Sequence, residues 1–393
     1  MARNGSRSIA DDKAVQRAVM ELRDIAPEFM REPQANVVGV GVGEKHKRNR
    51  FGQEEPTGGL ALIALVNHKV QDDQLSDEDR VPATIGDLPT DVLEVGEIVA
   101  QTGGTLVMPP LTSGAQAATS VPLTSVMPVI RPDGRHLRET YLTELEPVTV
   151  APQLLAARAR PAKGGYSVGH FRITAGTIGT CAYDILPGGS TFPPMHGAGI
   201  PPRFYILSNN HVLANSNAAA AGDPILQPGP FDGGNLATDR IATLSRFVPI
   251  TFEPPVPRTA HRNIVDAAIA EAPFHDLDRE LHWVGSVRGW RLRANVLPGL
   301  QVKKVGRTTN LTVGRITAIA ATVDVNYGVG IARFTDQIVT TNISAGGDSG
   351  SLVVTLDNVA VGLLFAGSSV ATIVNHIENV RALLRVEVAE QIL

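Results

Sequence analysis

From Tyr166 to Phe365, glycine, proline and asparagine recur every few residues between short runs rich in valine, isoleucine, leucine and threonine. Runs this short cannot bury a helical stripe, but they have the length and the β-branched content of strands joined by tight turns. The reading gives a strand and turn over Phe171–Gly179, then strands at Thr180–Ile185, Arg203–Leu207, Ile264–Ala270 and Gln301–Thr309. Leu311–Val325 reads as one or two strands and Arg333–Val339 as another. Leu352–Leu356 and Val359–Phe365 form a hairpin around Asp357-Asn358. Many short strands in succession are the mark of an antiparallel sandwich or barrel rather than of an α/β sheet.

The chain before this region has a different texture. Asp11 to Met30 carries apolar residues at helical spacing: Ala14, Val15, Ala18, Val19, Leu22 and Ile25. In Asn36–Gly43, valines alternate with glycines, as on a half-buried strand. A phosphate-cradling loop is the competing reading, but no Gly-Lys-Ser or Gly-Lys-Thr comes after it. Leu60–Val66 and Asp91–Ile98 read as two further strands. Residues 11–100 are therefore expected to form a small α+β domain behind a loose tail at 1–10. Its expected role is interaction, assembly (a homo-oligomer included) or control of the strand-rich region. Prolines and glycines break up residues 101–164, which read as a connection.

At 393 residues the chain is long enough for two or three cores, and 43% apolar with 19% charged residues is an ordinary globular composition. A net charge of −4 without a long basic run argues against nucleic acid or an anionic membrane as partner. The first residues lack an apolar signal core, and no run approaches the length of a membrane span. Cys181 is the one cysteine, so no intrachain disulfide can form, and it reads as a small buried hydrophobe. A cytoplasmic enzyme is expected. Histidine and cysteine do not cluster at ligand spacing, so no metal and no other cofactor is expected.

Chemistry concentrates at Gly346-Gly347-Asp348-Ser349-Gly350-Ser351, ahead of the apolar run Leu352–Val354. A serine between glycines suggests a hydroxyl presented on a tight turn, where a substrate backbone can approach and peptide N–H groups can face a developing oxyanion. A serine hydroxyl needs a base, and the base an orienting acid. The base candidate is His211, in Leu207-Ser208-Asn209-Asn210-His211-Val212. The acid candidate is Asp266, in Val265-Asp266-Ala267-Ala268-Ile269-Ala270.

These three segments, in the order His, Asp, Ser, resemble the catalytic segments of chymotrypsin-fold (trypsin-like) serine peptidases. The similarity is greatest to disulfide-free bacterial enzymes with an N-terminal extension and to plant narrow-leaf-type proteases. It covers roughly residues 165–385. Subtilisins and α/β-hydrolases use other orders, and the Gly-x-Ser-x-Gly elbow of α/β-hydrolases fails at Ser351, which disfavours an esterase. The resemblance implies a mainly β fold: a chymotrypsin-like double β-barrel over 165–393, preceded by the small α+β domain, with a helix over Ile377–Leu384. It implies His211, Asp266 and Ser349 as catalytic residues, the N–H groups of Gly347 and Ser349 as oxyanion hole, and Asp348 as the residue holding the turn. It puts Ile343 at the base of the specificity pocket and Phe365 and Gly367 in the wall that pairs with substrate backbone. An uncharged Ile343 implies an apolar or small side chain on the acyl side of the cleaved bond. The expected partner is a protein or peptide substrate. The competing reading is a protein-binding or assembly module whose protease domain is only weakly active. No basic activation site marks the start of the protease domain, so the chain is expected to be active uncleaved, or gated by its N-terminal part or by oligomerisation.

Overall fold

The structure, a computed structural model, describes residues 12–30, 36–48, 54–70, 74–76, 80–100, 154–173 and 175–393. The expected tail at 1–10 and most of the expected connection, residues 101–153, lie outside these. The described residues up to 100 and from Leu155 onward belong to one compact unit.

Helix α1 spans Asp12–Phe29 and buries Val15, Ala18, Leu22 and Ala26, a stripe at helical spacing. Next come strands β1 (Val37–Arg48), β2 (Glu54–Val66), β3 (Thr84–Ile85), β4 (Leu88–Glu94) and β5 (Val99–Ala100). The second group is β6 (Ala162–Gly164), β7 (Ser167–His170), β8 (Gly176–Thr177), β9 (Thr180–Asp184) and β10 (Phe204–Ser208). The single-turn helix α2 (Asn210–Leu213) leads to β11 (Pro224–Leu226), β12 (Arg240–Phe247) and β13 (Ala268–Ala272). Short strands β14 (Leu277–Leu281), β15 (Gly285–Ser286) and β16 (Gly289–Trp290) come after these. The last group is β17 (Gln301–Gly306), β18 (Asn310–Asn326), β19 (Ile331–Thr341), β20 (Leu352–Thr355), β21 (Val359–Gly367) and β22 (Ala371–His376). Helix α3 (Ile377–Leu384) and β23 (Val386–Glu387) close the chain.

The fold is mainly β and has two barrel-like sheets. Pairing runs β17-β20-β21-β22-β19-β18, and β18 pairs again with β17, so six strands close into a ring. The other sheet is the open path β23-β9-β10-β13-β12-β11-β7-β8. Ile178, Cys181, Ile206, Val212, Ile225 and Leu244 fill this second sheet. Leu207, Leu352, Val354, Leu363 and Ile377 belong to a further apolar cluster that draws on both sheets and α3. The Cys181 thiol is buried and its pKa is pushed up to about 12, chiefly by loss of water, so it behaves as a small hydrophobe.

The helix and strands expected over residues 11–100 form, but their sheet is not their own. β1 pairs antiparallel with β18, and β2 and β4 extend the ring sheet outward from β1. The Val-Gly alternation explains this attachment. A Cβ on Gly39 would lie 2.5 Å from the carbonyl oxygen of Thr322, and one on Gly43 2.4 Å from that of Thr317. The glycines serve close backbone approach between strands, not a phosphate. α1 is tied down as well: Arg333 on β19 chelates Asp324 through Nε and Nη2 (2.7 and 2.9 Å) and donates to the carbonyl oxygen of Met30 at the helix end.

Several boundaries differ from the sequence reading, and the strand read over Asp91–Ile98 ends at Glu94, in β4 (Leu88–Glu94). The strand read over Phe171–Gly179 is interrupted, with β7 ending at His170 and β8 covering only Gly176–Thr177. Asp266 lies before β13 rather than on it. Its main-chain N–H and C=O are thereby left to side-chain partners. Among the described residues no helix is long and apolar enough to cross a membrane.

Candidate active site

His211 comes just after β10, which pairs with β9 and β13 on its two sides and so fixes where the strand ends. The chain turns at once into α2, which holds the imidazole inside the molecule with the residue 1% exposed. His211 Nδ1 lies 2.6 Å from Asp266 Oδ2, and the His211 main-chain N–H donates to Asp266 Oδ1 at 3.2 Å. This fixes the ring orientation and leaves Nε2 as the second face. Nε2 is buried and has no hydrogen-bond partner among the described residues.

Asp266 is fully buried and draws donors from several segments. Tyr327, just past β18, donates its hydroxyl to Oδ2 at 2.7 Å and presents its ring edge-on to His211, centroids 5.9 Å apart. Burial, with the adjacent Asp266 carboxylate, pushes the Tyr327 phenol well above its ordinary range, so it stays a neutral donor. Asn209 Nδ2 donates to the Asp266 carbonyl oxygen at 2.7 Å, and the Asp266 N–H donates to Asn375 Oδ1 at 3.0 Å. Asn375 in turn donates to Gln337 Oε1 at 2.7 Å. Asn375 and Gln337 lie on strands of the ring sheet and Tyr327 in the turn between its β18 and β19, so Asp266, just ahead of β13 of the open sheet, is held from the ring-sheet side.

The Ser349 turn has two left-handed glycines, Gly347 at φ +97° and Gly350 at +94°. Neither has room for a side chain: a Cβ on Gly350 would meet Ser208 Oγ at 2.1 Å, and one on Gly347 would meet Thr308 Oγ1 at 2.6 Å. The turn is stitched to β8 on the opposite sheet. Thr177 N–H donates to the Ser349 carbonyl oxygen at 2.7 Å, and Thr177 Oγ1 donates to that of Gly347 at 2.9 Å. A Cβ on Gly176 would touch both Val212, next to His211, and the Ser349 carbonyl oxygen, 3.0 Å away. The imidazole segment and the serine turn therefore abut one short strand. Ser349 Oγ donates to the Phe365 carbonyl oxygen at 3.2 Å.

Asp348 is fully buried and heavily engaged. Its carboxylate accepts from the N–H of Thr308 (2.8 Å) and of Ala345 (3.1 Å) and from Thr309 Oγ1 (2.6 Å), and it pairs with Lys304 Nζ at 3.2 Å. Lys304 on β17 has no solvent-exposed side-chain surface. Burial lowers its pKa while Asp348 pulls it back up.

The residues expected to form the specificity pocket are buried. Ile343 is 3% exposed and belongs to an apolar cluster with Val302, Ile316, Ile338 and Val353. The Phe365 ring packs against Phe334, centroids 4.9 Å apart, so its contact with the site is through its carbonyl. Gly367 ends β21, pairing with Thr372 on one side and Val99 on the other.

Sequence reasoning missed Tyr327, Lys304, Asn375 and Thr177. Tyr327 carries a faint signal, an aromatic residue in the turn-forming stretch Asn326-Tyr327-Gly328. Nothing local distinguishes Lys304 from Lys303.

No family model and no curated protein matches the chain. Solved structures do. Thermobifida fusca Protease A is 15% identical with a TM-score of 0.39, over 58% of this chain and 98% of its own. Nocardiopsis protease is 18% identical with a TM-score of 0.39, over the same shares. Cellulomonas bogoriensis chymotrypsin is 19% identical with a TM-score of 0.37, over 57% of this chain and 96% of its own. Each of these similarities spans nearly the whole of the solved chain.

Proposed function

We propose that the chain is a serine endopeptidase acting on proteins or peptides through His211, Asp266 and Ser349. The observation that carries this is the buried His211–Asp266 pair: Nδ1 is held at 2.6 Å and Nε2 is left as the proton-accepting face, beside a Gly-Asp-Ser-Gly turn braced from several directions. In the reaction, Ser349 Oγ attacks the peptide carbonyl carbon while its proton passes to His211 Nε2. Asp266, with Tyr327 donating to it, orients the imidazole and stabilises the imidazolium. The N–H groups of Gly347 and Ser349 receive the developing oxyanion, each such donor being worth roughly 2.7–4 kcal/mol in transition-state binding. The C–N bond then breaks, His211 returns the proton to the leaving amine, and water repeats the sequence on the acyl-enzyme.

An apolar or small acyl-side residue is the proposed preference. Ile343 turns into an apolar cluster and brings no carboxylate to attract lysine or arginine. The competing reading, a binding module with little turnover, parts from this one at the nucleophile. A fluorophosphonate should label Ser349 in the intact chain, and labelling should vanish in Ser349→Ala and fall at least a hundredfold in His211→Ala. Equal labelling with and without His211 would sink the protease reading.

A further inference from the structure

The sheet edge at the end of β21 is occupied by the chain itself. β5 pairs antiparallel with it, Ala100 opposite Ala366 and Val99 opposite Gly367. This is the edge beside Phe365, whose carbonyl accepts from Ser349 Oγ at 3.2 Å. It is also the segment where a substrate backbone is expected to add as a strand. An edge pairs with one strand at a time, so a peptide and β5 compete for it.

The direction of β5 also suits a substrate mimic. β21 runs from Phe365 to Gly367, away from Ser349. β5, antiparallel to it, passes Gly367 first and Ala366 second, and so heads toward the nucleophile. The acyl half of a peptide substrate must travel in that sense, because the carbonyl to be attacked lies at its C-terminal end.

The segment leading into β5 is firmly seated. Val95 and Ile98 are 0% and 2% exposed, in the same apolar cluster as Phe365 and Phe334. Ser368 Oγ donates to the Val95 carbonyl oxygen, and the Asn326 N–H donates to that of Ile98 at 3.0 Å. Beyond Ile98, Val99 is 39% exposed and is paired with Asn326 of β18 as well as with Gly367, and Ala100 is 7% exposed. The anchor at Val95–Ile98 thus holds the segment independently of its pairing with β21, so that pairing can open while the anchor stays.

We propose that residues 95–100 are an intramolecular occupant of the acyl-side substrate edge, which holds the enzyme self-inhibited until Val99–Ala100 is displaced. The proposal rests on the protease reading. Its test uses the full chain with quenched fluorescent casein as substrate and a fluorophosphonate as probe of Ser349. Val99→Pro removes the strand N–H that faces β21, since the parallel pairing of Val99 with Asn326 turns the Ala100 N–H toward β18, and should raise casein cleavage at least tenfold over the unaltered chain. The pair Ala100→Cys with Ala366→Cys puts two thiols on directly opposed residues, where cross-strand geometry suits a disulfide. Oxidised, it should cleave casein at least tenfold more slowly than after dithiothreitol, while the buried Cys181 takes no part. Equal casein cleavage by the intact, proline and oxidised forms, with Ser349 labelled in each, would overturn self-inhibition and leave the protease reading standing. Absence of labelling in every form would instead remove the protease reading itself.

Discussion

A carboxylate out of reach of water must find its donors inside the protein, and Asp266 draws its own from the imidazole, a tyrosine and the main chain of His211. The tyrosine is the informative one. A hydrogen bond to a charged group contributes about 1.5–3 kcal/mol, and Tyr327 also supports the ring it faces. Tyr327→Phe keeps the packing against Phe252 and Phe334 and removes only the hydroxyl. We expect kcat/KM on casein, or the fluorophosphonate inactivation rate, to fall about tenfold or more with little change in Tm. At this scale the sequence was legible where a residue announces its chemistry by its neighbours. His211 sits in Ser-Asn-Asn-His-Val and Ser349 between glycines. It was opaque where function depends on which way a strand faces. Lys303 and Lys304 are adjacent, yet one is partly exposed and the other fully buried, because alternate residues on a strand point to opposite faces.

Among the elements, β1 marks where sequence patterning stops being informative. Helix α1 and strands β1, β2 and β4 were all legible from periodicity, since burial of one face writes itself into the sequence every two or every 3.6 residues. Their partner was not. A pattern of apolar residues says that a face is covered but not by what, and the valines of β1 would suit a separate domain equally well. Only the glycines hint at the answer, by demanding that another backbone come close. Gly43→Val tests this. Its Cβ would lie 2.4 Å from the Thr317 carbonyl oxygen and 3.0 Å from Ile63 Cγ1, so β1 must shift off β18. Overpacking of this kind costs about 1–3 kcal/mol or more. Denaturant melts should show a loss of that size, against almost none for Gly59→Ala, where a Cβ would meet only Thr57 Oγ1 at 3.6 Å, an ordinary contact.

Across the whole molecule, polar groups are buried beside the apolar ones, and one of them has a pH signature. His376, at the junction of β22 and α3, is 2% exposed, and burial lowers its pKa to about 4, with Asp336 raising it and Arg293 lowering it further. In the unfolded chain the ring takes its proton below about pH 6.5, while the folded protein refuses it until about pH 4. Stability that is full above pH 6.5 is therefore lost progressively as pH falls toward 4, by about 3 kcal/mol in all. Urea midpoints measured at pH 7, 5.5 and 4.5 should fall more steeply for the natural chain than for His376→Gln. Parallel slopes would show that other groups carry the acid sensitivity.

Lys304 reaches Asp348 from within the ring sheet, at 3.2 Å and out of contact with water. A nucleophile loop whose counter-ion is built into a neighbouring strand is finished when the chain finishes folding. On the proposed mechanism such a loop is expected to need no newly cut terminus. Under the self-inhibition we propose, control falls on admission to the cleft rather than on construction of it, and reverses as often as the guest and the resident strand trade places.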